Sequence, residues 1–115
     1  IAENVLDRWF TRDFRRSHPA VVERFRRRLL ATPDASYIRT SEAVCNLDLR
    51  SKLGSIQTPT LVITGEFDEA TPPAWGESIA RAVPGASLAS LRAAHLSNVE
   101  AASSFDEAVI RFLET

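Results

Sequence analysis

The chain has 115 residues, of which 44% are hydrophobic and 25% charged, with a formal net charge of -1 and a pI near 6.1. That balance suits one domain with an apolar core and gives no overall basic field, so no nucleic-acid partner is expected. A single cysteine, Cys45, excludes an intrachain disulfide and a cysteine-based metal site, and a lone cysteine reads as a small core residue. No signal-peptide pattern or membrane-spanning apolar run occurs, so the expected setting is cytoplasmic, with no membrane partner, no metal and no cofactor.

Charge is unevenly placed. Residues 1–28 hold eight arginines against four acids, and the remainder of the chain carries the compensating negative excess. The chain lacks methionine and opens at Ile1 inside a helical pattern without a capping signal, which reads as a piece of a longer protein. Val5, Leu6, Trp9 and Phe10 have helical spacing within a helix expected over 2–14. Pro19 opens a second helix with Val22, Phe25 and Leu29 on its apolar face and Arg24, Arg27 and Arg28 on its solvated one. Thr32-Pro33-Asp34 reads as a capped start for a third helix, with Tyr37, Ile38, Val44 and Leu47 as its buried face. Residues 1 to about 46 are thus expected to be all helical.

A connector follows, anchored by Leu49, Leu53 and Ile56 and broken at Gly54. Thr60–Thr64 is a continuous β-branched run between Pro59 and Gly65, fitting a strand buried on both faces of a parallel sheet. Pro72-Pro73 opens a helix through Trp75, Ile79 and Val83, which Pro84-Gly85 ends. Ser87–Leu91 is a second strand, and Ser104-Phe105-Asp106-Glu107 is a capping-box pattern before a last amphipathic helix. The order strand–helix–strand–helix implies an α/β fold with a parallel sheet. Two such strands form an incomplete sheet with an open edge.

Ligands and catalytic groups of open α/β sheets gather at the carboxyl ends of the strands. Asp68 follows the first strand and His95 the second, 27 residues apart, the length of one crossover through a helix. Parallel neighbours lie about 4.8 Å apart, so loops at their ends can bring a carboxylate to an imidazole Nδ1. Position alone leaves other readings open: His95 as a hydrogen-bonded loop residue, Asp68 as a turn residue, and Glu66 or Glu69 as the acid. The serine elbow G-x-S-x-G that such a site needs is absent. Gly76-Glu77-Ser78-Ile79-Ala80 falls inside a helix and Gly85-Ala86-Ser87-Leu88-Ala89 leads into a strand, and both follow Asp68.

Pro59 through Asp68, Thr71-Pro72-Pro73, Val83-Pro84-Gly85-Ala86 and Ala94-His95-Leu96-Ser97-Asn98-Val99-Glu100 resemble the closing third of α/β-hydrolases. Arg8-Trp9-Phe10-Thr11, His18-Pro19, Leu30-Ala31-Thr32-Pro33, Tyr37, Ser41-Glu42-Ala43-Val44 and Leu47-Asp48-Leu49-Arg50 resemble the helical cap of 3-oxoadipate enol-lactonases. The resemblance implies the C-terminal part of an α/β-hydrolase fold: a helical cap over residues 1–47, then the last βαβα of the core over 48–115. It makes Asp68 the acid and His95 the general base of a Ser-His-Asp triad, and Arg8 and Trp9 candidates for binding substrate, an anionic lactone. Trp9 reads equally well as a core aromatic.

The serine and oxyanion hole would then lie on an N-terminal half, the expected partner, without which the chain should not turn over. The family also leaves open a fusion to a carboxymuconolactone decarboxylase domain. Competing readings are another α/β-hydrolase (esterase, dehalogenase or perhydrolase) and a non-catalytic interaction module.

Overall fold

Helices α1 (Ala2–Trp9), α2 (Arg12–Ser17), α3 (Pro19–Ala31) and α4 (Asp34–Cys45) make up the first part of the chain in a computed structural model that describes all of Ile1–Thr115. A 3-10 turn over Arg50–Ser55 leads to strand β1 (Leu61–Gly65), then helix α5 (Pro73–Ala82), strand β2 (Ser87–Leu91), and helices α6 (Ser97–Glu100) and α7 (Ala102–Leu113). The strands pair in parallel, Leu61 opposite Ser87 through Gly65 opposite Leu91. Helix α5 packs on both and makes the crossover.

The helix expected over 2–14 is two helices. Thr11 breaks it, its hydroxyl accepting from the Phe14 N–H as the N-cap of α2 at 3.3 Å. A mid-pattern threonine able to cap can restart a helix in a new direction, and apolar periodicity does not register the turn. Leu6 and Phe10 are nonetheless buried together with Val22 of α3, and Trp9, Phe14, Phe25, Leu29, Leu96 and Val99 pack around them. Edge-to-face contacts of Phe25 with Trp9 and Phe10 order this aromatic cluster. Across its surface Arg26 forks onto Glu3 at 2.7 and 2.9 Å and reaches Glu23 at 2.6 Å, so part of the N-terminal positive charge is locally neutralised.

Helix α4 departs further from expectation. Its N-cap is Pro33 and makes no side-chain cap; Thr32 instead ends α3, its hydroxyl donating to the Arg28 carbonyl at 2.9 Å. Tyr37, Ile38, Val44 and Leu47, expected in a core, are exposed, as is Cys45. The reason is that α4 lies against little of this chain: every residue in it except Ser41 is exposed. The connector expected to break at Gly54 is instead the 3-10 turn, which runs through that glycine. The run read as a fully buried strand is half-buried over Leu61–Ile63 and buried only at Thr64 and Gly65, because β1 has one neighbouring strand.

The last helix begins at Ala102 with Ala101 as an uncapped N-cap, so Ser104 lies inside it; the short α6 before it was not expected. Leu96 and Val99, at the start and middle of that turn, reach into the aromatic cluster of α1–α3. This places the segment after β2 against the N-terminal helices. No helix is long and apolar enough to cross a membrane.

Candidate functional site at the ends of the parallel strands

Parallel pairing in register sets the two strands to end together, Gly65 beside Leu91. The backbone ladder continues past them, with the Glu66 N–H donating to the Leu91 carbonyl at 2.8 Å and Phe67 N–H to that of Ala93 at 3.0 Å. This close approach requires Gly65, since a Cβ there would lie 2.5 Å from the Ala93 carbonyl oxygen and nearer still to that of Ala94. Ala93 and Ala94 are themselves small and buried.

The two loops bring Asp68 and His95 into contact, Nδ1 to Oδ2 at 2.9 Å. The competing acids are placed differently: Glu66 and Glu69 are exposed, whereas Asp68 is buried. Asp68 organises its own loop. Its Oδ1 accepts from the N–H groups of Ala70 (2.8 Å) and Thr71 (2.9 Å), and its Oδ2 accepts from the Thr71 hydroxyl at 2.8 Å. Burial by itself would raise the pKa of this carboxyl. The hydrogen bonds from the Thr71 N–H, from His95 and from the Thr71 hydroxyl outweigh it and hold the pKa below its ordinary value.

An ionised carboxylate only accepts, so the proton between the two groups belongs to Nδ1, leaving Nε2 with its lone pair. His95 is about one-third exposed, so that lone pair can be reached from outside. A group of this kind can take a proton from a nucleophile while the carboxylate stabilises the imidazolium that forms.

Thr71 does not stand out among the sequence candidates, although Asp-x-x-Thr after a strand is a recognisable self-capping turn. Replacing it by Val removes the hydroxyl donor and keeps the backbone N–H, so the Asp68 pKa should rise toward the ordinary value. The sign follows from the lowered folded pKa: this group stabilises the fold above its unfolded pKa, about 3.9, and that stabilisation is lost as pH falls through the folded value. Thr71→Val should therefore cost about 1 kcal/mol at neutral pH and little in strong acid. Carboxyl NMR titration with urea unfolding at both pH values checks it; an unmoved Asp68 titration would refute the assignment of the hydroxyl bond.

Arg8 and Trp9 are placed differently from one another. Arg8 is exposed on α1 and takes part in none of the ion pairs that engage Arg15, Arg26 and Arg27. The Trp9 ring is half-buried on Phe25, the core-aromatic arrangement, but its carbonyl accepts from the Leu96 N–H at 3.0 Å. Its backbone is thus fixed one residue from His95. The other unanticipated member of the site is Glu100. Its carboxylate accepts from the Ala94 N–H at 3.0 Å and from the backbone N–H and hydroxyl of Thr11.

With a parallel β-α-β crossover presenting a paired acid and histidine at its strand ends, comparison with known proteins is decisive at the family level. Residues 35–115 match the α/β-hydrolase family described as TAP-like protein. The chain belongs to this α/β-hydrolase family. The chain is 35% identical over 109 residues to 3-oxoadipate enol-lactonase 2 of Acinetobacter baylyi, covering 95% of itself and 41% of that relative. Among solved structures, the enol-lactonase from Burkholderia xenovorans LB400 superposes with a TM-score of 0.97 at 38% identity, covering 99% of this chain and 44% of that one. A thermophilic esterase from Thermogutta terrifontis superposes with a TM-score of 0.90 at 28% identity, over 98% of this chain and 42% of that one. The chain therefore spans about two-fifths of the length of its curated relatives and has the fold of the C-terminal part of an α/β-hydrolase.

Proposed function

We propose that this chain is the C-terminal part of an enzyme that opens 3-oxoadipate enol-lactone to 3-oxoadipate in aromatic catabolism, through a Ser-His-Asp mechanism. The observation that carries the reading is the 2.9 Å Asp68–His95 pair in a chain 35% identical to an enol-lactonase. His95 Nε2 takes the proton of a serine hydroxyl supplied from outside these 115 residues, and the serine oxygen adds to the lactone carbonyl. The ring C–O bond breaks, His95 returns the proton to the departing enol oxygen, and the enol tautomerises to the ketone. A water deprotonated by His95 then adds to the acyl carbon, the bond to the serine oxygen breaks to release the second carboxylate, and His95 returns its proton to that serine.

Residues 1–47 act as the cap in this reading and 48–115 as the end of the core. The exposed apolar side chains Tyr37, Ile38, Val44, Trp75 and Leu88 then face the rest of the hydrolase. The chain is expected to show no turnover alone and to turn over the lactone when joined to the preceding portion. Lactone opening by the chain alone, or no lactone opening by the joined protein, would sink the proposal.

Arg8 supplies the planar, permanently charged fork that matches the substrate carboxylate. Arg8→Ala should raise KM for the anionic lactone about tenfold, the size of a charge-assisted hydrogen bond, and leave KM for a neutral ester within about twofold. Equal effects on both substrates would remove Arg8 from carboxylate binding. The likeness to the thermophilic esterase favours a second reading, a neutral-ester hydrolase on the same pair. Higher kcat/KM for neutral esters than for the lactone would select it.

A further inference from the structure

We propose that Glu100 is a positioning residue that clasps the His95 loop to the junction of α1 and α2, so that the general base and the helical segment over it hold one register; this rests on the hydrolytic reading above. The carboxylate does not cap the helix that follows it, since the N-cap of α7 at Ala101 has no side-chain cap. It reaches instead across 89 residues to Thr11, accepting from its backbone N–H at 3.2 and 3.3 Å and from its hydroxyl. The same carboxylate accepts from the N–H of Ala94, the residue before His95, at 3.0 Å. The residue after His95, Leu96, donates its N–H to the Trp9 carbonyl.

The residues on either side of the histidine, Ala94 and Leu96, are therefore held, one through Glu100 and one directly, by the stretch Trp9 to Thr11 where α1 gives way to α2. Leu96 and Val99 add apolar anchors in the Leu6–Phe10–Val22 cluster. Three donors nearly fill the capacity of one carboxylate. A shift of the α1–α2 junction must therefore move the His95 peptide or break this set. The segment that moves with it carries Arg8, so substrate holding and the placement of the base are mechanically joined.

The test uses the full-length hydrolase containing this chain, with the lactone and a neutral p-nitrophenyl ester as substrates. Glu100→Gln keeps the shape but turns an amide N–H₂ against one of the donors. It should lower kcat on both substrates about tenfold, since an ångström-scale misplacement of a reacting group can cost up to about a hundredfold. Thr11→Val removes the hydroxyl and keeps the N–H; it should raise lactone KM at least about threefold with kcat within about twofold, and Thr11→Ser should restore it.

A residue needed only for folding would lower the melting temperature and leave kcat and KM of the folded fraction unchanged. Glu100→Gln within about twofold of wild type in both constants overturns the proposal. Should Glu100→Gln fail to fold, indistinguishable KM values for Thr11→Val and Thr11→Ser overturn it. His95→Ala separates the two levels: retained ester turnover there removes the hydrolytic reading itself, whereas a dead His95→Ala beside a wild-type-like Glu100→Gln removes only the positioning role.

Discussion

Under the proposed function, His95→Ala in the full-length protein should lower kcat by roughly 10⁴- to 10⁶-fold, and Asp68→Asn by about 10⁴-fold, with KM changed far less than kcat. The second substitution is the more informative because it is isosteric. The Asp68 carboxylate can only accept, which fixes the His95 proton on Nδ1 across the 2.9 Å contact. An asparagine there can present its N–H₂ to Nδ1 and so stabilise the opposite tautomer, with the proton on Nε2, where a base is needed.

The substituted amide keeps one oxygen to accept from Ala70 and Thr71, so the loop that Asp68 organises should survive and the loss should be chemical rather than structural. Steady-state kinetics on a variant with an unchanged circular dichroism spectrum checks this. An Asp68→Asn enzyme within about tenfold of wild type would mean that the pair is a structural contact, and the hydrolytic reading would fall with it.

The parts of this structure legible in sequence are those set by short-range rules. Ser87–Leu91 and the strand ending at Gly65 follow from short runs of strand-compatible residues between turn residues, and α3 and α5 follow from prolines in the first turn. Asp68 and His95 could be located because strand ends are where a parallel sheet gathers polar groups, although sequence position did not choose between Asp68 and its acidic neighbours. Burial made that choice.

What escaped the sequence depends on the remainder of the fold. The apolar pattern of α4 promised a buried face, but periodicity does not say which chain segment covers it. The break at Thr11 and the turn α6 were hidden for a related reason: each is held partly by the other's neighbourhood, through Glu100, across 89 residues. A carboxylate that accepts from two donors 89 residues away has no local signature. Thr71 is the opposite case, a local Asp-x-x-Thr turn whose signal is present in the sequence but carries no ionisable group to draw notice.

Gly65→Ala should be strongly damaging. A methyl at Gly65 points at two backbone carbonyl oxygens, those of Ala93 and Ala94, and neither can move aside as a flexible side chain would. Overpacking typically costs about 1–3 kcal/mol, and a rigid backbone on the opposing side puts this site at the upper end, about 3 kcal/mol. Relief requires β1 to draw back from the loop that carries His95, while Asp68 stays tied to β1 through its N–H bond to the Gly65 carbonyl. The Asp68–His95 contact must then lengthen, and kcat should fall by up to about a hundredfold in the fraction that remains folded.

Gly54→Ala is the matched control, since the nearest atom to a Cβ there is a carbonyl oxygen 4.0 Å away. It should stay within about 0.5 kcal/mol of wild type with unchanged kcat. Urea unfolding and kcat of the two variants in the full-length hydrolase decide the matter. Equal stability and equal activity would mean that the strand end and the His95 loop do not meet this closely in solution.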